Sequence, residues 1–540
     1  MKILPSNFSG TKLSFLSLFF VIMFTVSCTK NNSEHYQIVL KNGNVNVGDG
    51  TPSKIMDIGI NADTIAFIGN IDPKNADSVI DVSGLIVAPG FIDMHAHLDP
   101  IFKHPDAKSA LTQGITTSLG GPDGGGFWPF GSRLDSIAEL PLGMNVAYLV
   151  GHNQIRKAVM QMDNREPTVE ELSKMKTMVS QAMNDGAFGI STGLKYLPGA
   201  FSKVDEVIEM SKSASEKGGI YTSHLREEGL GLLEGVSEAI QIGEKANIPI
   251  ILTHHKAIGK PVWGFSKKTL KMVDSARALG IDVMIDQYPY NASYTSISVL
   301  IPAWARAGGQ KEFIKRTENK KLKDSILAGI EFNILNDRGG GDLNRVQLAK
   351  TPWDETLSGK TLKFWAEREN LEPNAKNGAL LVLKAQLTGG GTAIYHAMDE
   401  KDIQRIMQHP QTMIGSDGRL TYTDDEGWPH PRWYGTFPRV LGHYVRELNV
   451  LDLPTAIKKM TSMPADRLGL SKRGRLKVGN YADITIFDSE TVIDKSIYTD
   501  PHHYSEGIKY VFVNGVLTIN DAMLTENRGG KVLRGMGYKK

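Results

Sequence analysis

Four histidines and one aspartate stand directly after apolar segments of the kind that form strands in α/β proteins. His95 and His97 close the stretch FIDMHAHLD, His224 follows GIYTS, His254 follows IPIILT, and Asp417 follows QTMIG. Residues two apart on a strand share a face, so His95 and His97 are expected to point the same way. If the segments are strands of one parallel barrel, all five side chains converge at its C-terminal mouth. Imidazoles and a carboxylate in that place are typical of a catalytic zinc site.

The histidine pair alone is weak evidence, because an HxH pair also occurs in protein cores and on surfaces. The alternative for the whole set is five buried groups satisfied by ordinary hydrogen bonds. Packing does not explain why all of them stand at strand ends, so the set predicts metal binding.

Eight apolar segments predict the strands that would carry these residues. They cover residues 85–94, 115–121, 145–151, 187–193, 219–223, 248–253, 281–286 and 411–415. Helical patterns separate several of them, at residues 170–185, 232–246 and 267–280. Alternating strands and helices predict a parallel sheet, and eight such units predict an α/β fold with a (β/α)₈ TIM-like barrel over residues 85–465.

Two further regions are expected beside the barrel. Residues 36–84 and 466–535 alternate short apolar runs with turn residues, which predicts one small β domain built from both chain ends, or two separate β appendages. Roughly 120 residues separate Tyr290 from Gln411, far more than one βα connection needs. We interpret residues 291–400, approximately, as an inserted lid subdomain over the barrel mouth; the alternative is a solvent-exposed decoration without a catalytic role.

The N-terminus predicts an exported protein. Lys2 and Lys12 precede a short apolar stretch at residues 13–26, and Ser27 and Cys28 follow it. Residues 1–28 resemble a bacterial lipoprotein signal, with Thr25 where such signals usually carry Leu. The resemblance implies lipidation at Cys28 and a place in the bacterial cell envelope, in the periplasm or at the outer membrane. Ordinary secretion and an uncleaved anchor are the alternatives.

Composition limits the partners. The 540 residues are 41% hydrophobic and carry a net charge of +2, which gives no electrostatic reason to expect nucleic acid or an anionic membrane surface. A membrane is therefore expected only through the lipid anchor. Because Cys28 is the only cysteine, the mature chain has no thiol for a metal site and no disulfide. Nothing in the sequence indicates an oligomeric state.

Longer motifs resemble those of the N-acyl-D-amino-acid deacylase (D-aminoacylase) family within the metal-dependent amidohydrolase superfamily. The resemblance covers about residues 37–535. It is carried by VAPGFIDMHAHLD, GAFGISTGLKYLPG, YTSHLREEG, ILTHHKA, DQYPYNAS, MIGSDG, PHPRWYGTFPRVLG and PADRLGL with GRLKVGNYADITIFD. It implies zinc-dependent hydrolysis of small N-acyl-D-amino acids to a carboxylate and a free D-amino acid.

The resemblance also implies roles for individual residues. His224 and His254 match ligands of a tightly held zinc ion, and His95 and His97 match ligands of a second, weaker divalent metal. Asp417 matches the general base and a ligand of the weaker metal. The substrate α-carboxylate is expected at Lys256, Tyr288 and Arg432, with Tyr290 as the second choice for the tyrosine.

One position departs from the family pattern. Where the family commonly has GNCG, with the cysteine binding zinc, this chain has GGPDG and places Asp123 there. A carboxylate can bind zinc and can bridge two ions, so Asp123 is expected to be a ligand. The alternative is a plain turn aspartate in a Pro-Asp-Gly turn.

Other polar residues near the motifs are expected to have supporting roles. His255 is expected to be structural and His430 to orient the loop that carries Arg432. His152 and His396 are expected in pocket walls or hydrogen bonds, and Arg226 and Glu227 either support the pocket or contact substrate. The alternatives to deacylation are a dipeptide or cyclic-amide hydrolase of the same superfamily and an inactive ligand-binding lipoprotein.

Overall fold

The structure, a computed structural model, describes residues 35–539, so the predicted signal at residues 1–28 lies outside the described part of the chain. Its strands are β1 (Tyr36–Val45), β2 (Lys54–Asn61), β3 (Thr64–Gly69), β4 (Ala76–Asp81), β5 (Ile86–Pro89), β6 (Phe91–Asp93), β7 (Ala96–His97), β8 (Ile115–Gly120), β9 (Asn145–Tyr148), β10 (Val150–Gly151), β11 (Gly189–Gly193), β12 (Ile220–His224), β13 (Ile250–Leu252), β14 (Val283–Gln287), β15 (Ser293–Ser296), β16 (Val346–Lys350), β17 (Thr392–Tyr395), β18 (Thr412–Ile414), β19 (Gly418–Arg419), β20 (Ile484–Phe487), β21 (Ile508–Val513), β22 (Val516–Asn520) and β23 (Met523–Leu524).

The α-helices lie mostly between the strands of the central sheet. They are α1 (Lys108–Leu111), α2 (Phe130–Ala138), α3 (His152–Met160), α4 (Val169–Asn184), α5 (Val204–Ser215), α6 (Leu232–Ala246), α7 (Ser266–Ala278), α8 (Gln310–Glu318), α9 (Lys320–Asn333), α10 (Leu362–Arg368), α11 (Ala375–Leu387), α12 (Glu400–Gln408), α13 (Arg432–Arg439), α14 (Leu453–Met460) and α15 (Ser462–Arg467). Among these helices, none combines the length and the apolar character needed to cross a membrane.

Parallel strands form the ring that the sequence predicts. The hydrogen-bonded order is β6-β8-β9, then β10-β11-β12-β13-β14-β18. Only Leu149 separates β9 from β10, and β7 and β19 extend the first and last strands. The extensions of the first and last strands pair with each other, with Gly418 beside Ala96 and Arg419 beside His97. The predicted (β/α)₈ barrel is therefore confirmed, and its first and last strands meet at the metal-ligand candidates.

Local sequence explains the elements around the ring. Helix α4 begins with a capping box, in which Thr168 accepts from the backbone of Glu171 and the Glu171 carboxylate accepts from the backbone of Thr168. Its buried side chains recur every three or four residues, as in an amphipathic helix. Inside the ring, side chains such as Ile92, Leu119 and Ile251 form an apolar cluster.

Both chain ends contribute to one small β sheet. Its order is β23-β22-β21-β20-β5-β1-β2-β3, with β4 also paired to β1. Strand β20 from the C-terminal part pairs antiparallel with β5 from the N-terminal part, so Ile484 lies opposite Pro89. The two chain ends therefore contribute strands to the same sheet.

The segment predicted as the first barrel strand, residues 85–94, is divided at Gly90. Residues before it belong to β5 in the small sheet, and residues after it belong to β6 in the barrel. A side chain at Gly90 would place its Cβ 2.2 Å from the hydroxyl oxygen of Thr116. The small sheet therefore runs to Pro89, beyond the predicted boundary at residue 84. The chain passes from one sheet to the other at Gly90, where the close approach of Thr116 requires glycine.

The insertion after β14 has a sheet and a core of its own. Strands β15, β17 and β16 form an antiparallel sheet in that order, and helices α8–α11 belong to the same segment. Phe313, Ile330, Leu348 and Trp365 are among its buried core residues. The same cluster includes Ile258, Tyr288 and Tyr290, which precede the insertion, so the insertion packs directly against loops that follow the barrel strands.

Candidate metal centre

The first group of side chains lies where β7 meets β19. His97 Nε2 lies 3.1 Å from Asp417 Oδ1 and 3.4 Å from Asp123 Oδ2. His95 Nε2 lies 3.7 Å from Asp417 Oδ1 and 3.5 Å from Asp123 Oδ1. Each of the four residues offers one ligand atom to a group whose atoms all lie within 4.8 Å of one another. Such a group has the composition and spacing of a cation site.

The second group lies beside the first and shares Asp123 with it. His254 Nε2 lies 3.3 Å and His224 Nδ1 lies 3.7 Å from Asp123 Oδ1. These two imidazole nitrogens are 2.7 Å apart. Asp123, His224 and His254 therefore form a second cluster within 4.8 Å. All six predicted ligand residues are brought together, with Asp123 placed between two histidine pairs.

Unusual backbone positions present three of these side chains. Asp123, His254 and Asp417 have φ values of 57°, 36° and 47°, in the left-handed region that L residues other than asparagine and aspartate rarely adopt. Asp123 also lies inside the turn in which Gly125 N donates to Pro122 O at 2.8 Å. It is thus a turn residue and a neighbour of the histidines at once, so the two interpretations of its role do not exclude each other.

Two buried carboxylates that the sequence analysis did not single out support the ligands from behind. Asp93 Oδ1 accepts from the backbone N–H groups of His95 and Ser416, and its Oδ2 accepts from the Ser416 hydroxyl. Asp286 Oδ1 accepts from His254 N at 2.7 Å and lies 4.0 Å from His95 Nδ1. Asp93 and Asp286 both stand near the ends of predicted strands, and that position is the sequence signal that could have identified them.

The electrostatics of the site favour positive charge. Burial alone would lower the pKa of His97, but hydrogen bonds and charge from Asp123 and Asp417 raise it to about 10. Burial would raise the pKa of Asp417, but the Arg432 charge and the His97 hydrogen bond hold it well below its usual range. His224 differs, because burial lowers its pKa to about 3 and keeps its imidazole neutral.

The donor set fits divalent zinc. Both ring nitrogens of His95 are buried without a hydrogen-bond partner in residues 35–539, although its Nε2 points at two carboxylates. A buried imidazole without a partner costs free energy unless another group occupies its lone pair. Four imidazoles and two carboxylates are nitrogen and oxygen ligands of the type that zinc accepts.

A cavity of about 490 Å³ opens over the first cluster. Its polar wall includes His97, Asp123, Asp417 and Arg432. Its apolar and aromatic wall includes Leu98, Ile101, Phe102, Phe127 and Tyr148. Tyr294, Thr295 and Ser296 from β15 complete it, so the insertion forms part of the cavity wall. This volume suits a small organic molecule rather than a polymer.

Arg432 is the one member of the predicted carboxylate clamp that lines this cavity. Its guanidinium is buried, with NH1 2.9 Å from Asp417 Oδ2. His430 holds the loop that presents it, because His430 Nδ1 accepts from Arg432 N at 3.0 Å and His430 Nε2 lies 2.9 Å from Ala292 O.

Lys256 and Tyr288 are placed differently from the expectation. Lys256 Nζ donates to Glu228 Oε1 at 2.5 Å and to His254 O at 2.6 Å, which holds it behind the histidines. The Lys256 ammonium and the Arg432 guanidinium both lie over the Tyr288 ring, at 5.6 and 4.7 Å from its centroid. Neither Lys256 nor Tyr288 lines the cavity, so their contact with a substrate carboxylate stays a prediction. Tyr290, the second choice, donates to Asp494 at 3.1 Å instead.

The remaining polar residues make local contacts. His255 Nε2 lies 2.8 Å from the Thr269 hydroxyl, His152 Nε2 lies 2.8 Å from Glu206, and His396 Nε2 lies 3.1 Å from Gln347. Arg226 binds Glu238, and Glu227 binds Lys195 at 2.8 Å. None of the five lines the cavity over the metal-ligand candidates.

Comparisons with known proteins agree with this geometry. The sequence profile of the Amidohydrolase family matches residues 373–519. A D-aminoacylase of Alcaligenes xylosoxydans xylosoxydans is 36% identical, over 94% of this chain and 99% of its own length. The crystal structure of N-acyl-D-glutamate deacylase from Bordetella bronchiseptica, complexed with zinc and a phosphonate inhibitor, has a TM-score of 0.80 at 32% identity, covering 93% of this chain and all of that one. A D-aminoacylase structure with a binuclear metal centre has a TM-score of 0.79 at 34% identity, covering 92% of this chain and 100% of that one.

Proposed function

Because this chain belongs to the N-acyl-D-amino-acid deacylase (D-aminoacylase) family of amidohydrolases, we propose that it hydrolyses N-acyl-D-amino acids with zinc as its cofactor. One water adds across the amide bond, releasing a carboxylate and a free D-amino acid. The observation that carries this proposal is the pair of histidine clusters that share Asp123 at the edge of the cavity. His224, His254 and Asp123 would hold one ion, and His95, His97, Asp123 and Asp417 a second. Zinc, when bound, supplies a water with a pKa near 7 and polarises the acyl carbonyl.

Asp417 is the residue that moves the proton in this proposal. Its low pKa keeps it ionised in the resting enzyme, ready to accept a proton from the attacking water. The nitrogen must then receive a proton before it can leave. When the substrate α-carboxylate pairs with Arg432, less of the guanidinium charge stabilises the Asp417 anion. Substrate binding therefore raises the proton affinity of Asp417, which suits its second task as an acid.

Arg432 supplies the recognition of the α-carboxylate. A guanidinium binds a carboxylate through two parallel hydrogen bonds, which fixes orientation as well as position. With the α-carboxylate and the acyl carbonyl both held, the configuration at Cα decides where the side chain points. Selection of the D enantiomer would follow from that constraint.

The test is turnover of a panel of N-acetyl-D- and N-acetyl-L-amino acids, together with dipeptides and a cyclic amide, in the purified protein with zinc added. The proposal expects hydrolysis of D substrates and little of the others. Preferred turnover of a dipeptide or cyclic amide would establish the related hydrolase instead. Binding without turnover of any substrate would indicate a silent ligand-binding protein.

The Asp417→Asn variant belongs in the same assay. It should lose activity, because asparagine accepts no proton, while zinc at His224 and His254 stays largely bound. Elemental analysis of the variant separates loss of the base from loss of the metal. Turnover near the wild-type rate would exclude the proton-transfer role.

We further propose that the mature protein is exported and attached to the bacterial cell envelope by lipid on Cys28. The support is the sequence of residues 1–28, with its basic start, short apolar stretch and single cysteine. Membrane contact would then come from the anchor, and the substrate from the space outside the cytoplasmic membrane.

A further inference from the structure

Glu228 is a buried carboxylate that lies behind the metal-ligand candidates. Its side chain is 3% exposed, whereas that of its neighbour Glu227 is 45% exposed and forms an ion pair with Lys195. A buried carboxylate is costly unless charges and hydrogen bonds surround it. Its immediate partners therefore indicate what it does.

Glu228 contacts both histidines of the second cluster at the nitrogens that face away from Asp123. His254 Nδ1 lies 3.3 Å from Glu228 Oε1, and His224 Nε2 lies 3.6 Å from Glu228 Oε2. The other nitrogens, His254 Nε2 and His224 Nδ1, face Asp123 at 3.3 and 3.7 Å. One carboxylate thus spans two imidazoles from behind while a second carboxylate meets them from the front.

Two cations hold this carboxylate in place. Lys256 Nζ donates to Glu228 Oε1 at 2.5 Å and lies 2.6 Å from His254 Nδ1, so it contacts the carboxylate and the ring together. Arg338 NH2 lies 3.7 Å from Glu228 Oε2, and the Arg338 side chain is 2% exposed. Arg338 ends the π-helical turn Ile334–Arg338 in the insertion, so this contact reaches from the lid subdomain to the back of the barrel site.

We propose that Glu228 is a positioning residue that fixes the rings of His224 and His254 for metal binding, and that Arg338 makes the insertion part of this support. An imidazole that donates its far N–H to a carboxylate has its near nitrogen free, fixed in direction and more basic. Glu228 Oε1 lies within hydrogen-bond distance of His254 Nδ1, and its Oε2 faces His224 Nε2 at 3.6 Å, so its negative charge acts on both rings. The inference rests on the proposed zinc site but not on the identity of the substrate.

The test measures zinc binding directly. Glu228→Gln should weaken zinc affinity, in competition with a chelator, by about 10–100-fold, the usual effect of removing such a carboxylate. The absorption spectrum of the cobalt-substituted protein should change as well, because the ring orientations change. Glu227→Gln is the matched control, since it removes an adjacent carboxylate without touching either ring, and it should leave zinc affinity and the cobalt spectrum unchanged. Glu228→Asp, which keeps the charge, should recover part of the loss.

A second pair of variants tests the role of the insertion. Arg338→Met should weaken zinc binding several-fold. Arg316→Met removes hydrogen bonds to Ala305 O and Ala307 O within the insertion and does not reach Glu228, so it should leave zinc affinity unchanged. Equal losses in both variants would mean that a loosened insertion explains the effect. Wild-type zinc affinity and cobalt spectrum in a folded Glu228→Gln protein would overturn the proposal, whatever the substrate assays show.

Discussion

Asp123 occupies the position at which this chain departs from the family pattern, and its carboxylate lies within 3.7 Å of all four histidines. Its Oδ1 faces His95, His224 and His254, while its Oδ2 faces His97. A thiolate has a single donor atom, whereas a carboxylate has two oxygens and can serve two ions. Asp123 would therefore be able to offer an oxygen to each of the two clusters.

Replacing Asp123 tests this directly. Asp123→Ala should lower zinc content and activity together, because His224 and His254 alone leave zinc with two protein ligands where catalytic sites usually supply three. Asp123→Cys should restore both in part, since it recreates the thiolate of the family pattern. Elemental analysis and thermal unfolding are measured on the same samples.

Stability provides the control for that experiment. If Asp123 served only the Pro122–Gly125 turn, its loss would lower the unfolding temperature while zinc content stayed complete. A full zinc complement with normal turnover in Asp123→Ala would leave the metal centre in need of another ligand.

Arg432 is the second residue whose loss should have a selective effect. Arg432→Ala should reduce kcat/KM for substrates with a free α-carboxylate by about 30-fold, equivalent to about 2 kcal/mol for a lost charge-assisted hydrogen bond. The corresponding α-amides should lose little. Arg419→Ala is a matched control, because Arg419 also lines the cavity but lies beside His97 rather than on Asp417. Equal losses for acids and amides would show that Arg432 does not clamp the carboxylate.

Residue types and their places at strand ends predicted which six side chains would lie close together. They did not predict that Lys256 would lie behind the histidines and outside the cavity wall. That depends on Glu228, a residue of ordinary type in the run Arg226–Glu228, and sequence spacing does not distinguish the buried glutamate from its exposed neighbour. Asp93 and Asp286 were also missed. Both accept hydrogen bonds from backbone N–H groups, and sequence spacing does not reveal that role.

At the scale of elements, all eight predicted barrel strands occur, because each is an apolar run bounded by turn residues. The division of the first run at Gly90 was not predictable. Its apolar character is continuous, and only the crossing of Thr116 close to the backbone of Gly90 shows that two sheets share it.

Gly90 therefore supports a stability prediction. Gly90→Ala should destabilise the fold by about 1–3 kcal/mol, the usual cost of inserting a methyl group into a packed site. Chemical denaturation, followed by circular dichroism, measures the change. In a Thr116→Gly background, Gly90→Ala should destabilise the fold by less than it does in the wild-type protein. Additive losses would mean that the two residues do not collide.

At the scale of the whole molecule, the balanced charge and the size of the cavity agree with a small-molecule enzyme. The fold class was predictable because the strand and helix periodicities alternate along most of the chain. The shape of the insertion was not, because its fold depends on contacts among residues 293–395 that no short motif encodes.

The export proposal is tested on the full chain. Cys28→Ala should abolish labelling by a fatty-acid analogue in cells and release the protein from the membrane fraction. Catalysis should be unchanged, because Cys28 precedes the described fold. Labelling that persists in the variant would contradict lipidation at Cys28.

The short pairing of β7 with β19 sets an order of events for the maturation of the enzyme. His97 and Asp417 are 320 positions apart in the chain, yet their side chains lie 3.1 Å from each other. A growing chain that has not yet delivered Asp417 holds its four histidines without the seam that joins the first cluster. The complete centre is thus assembled only when the last barrel strand is in place, so full metal loading follows folding.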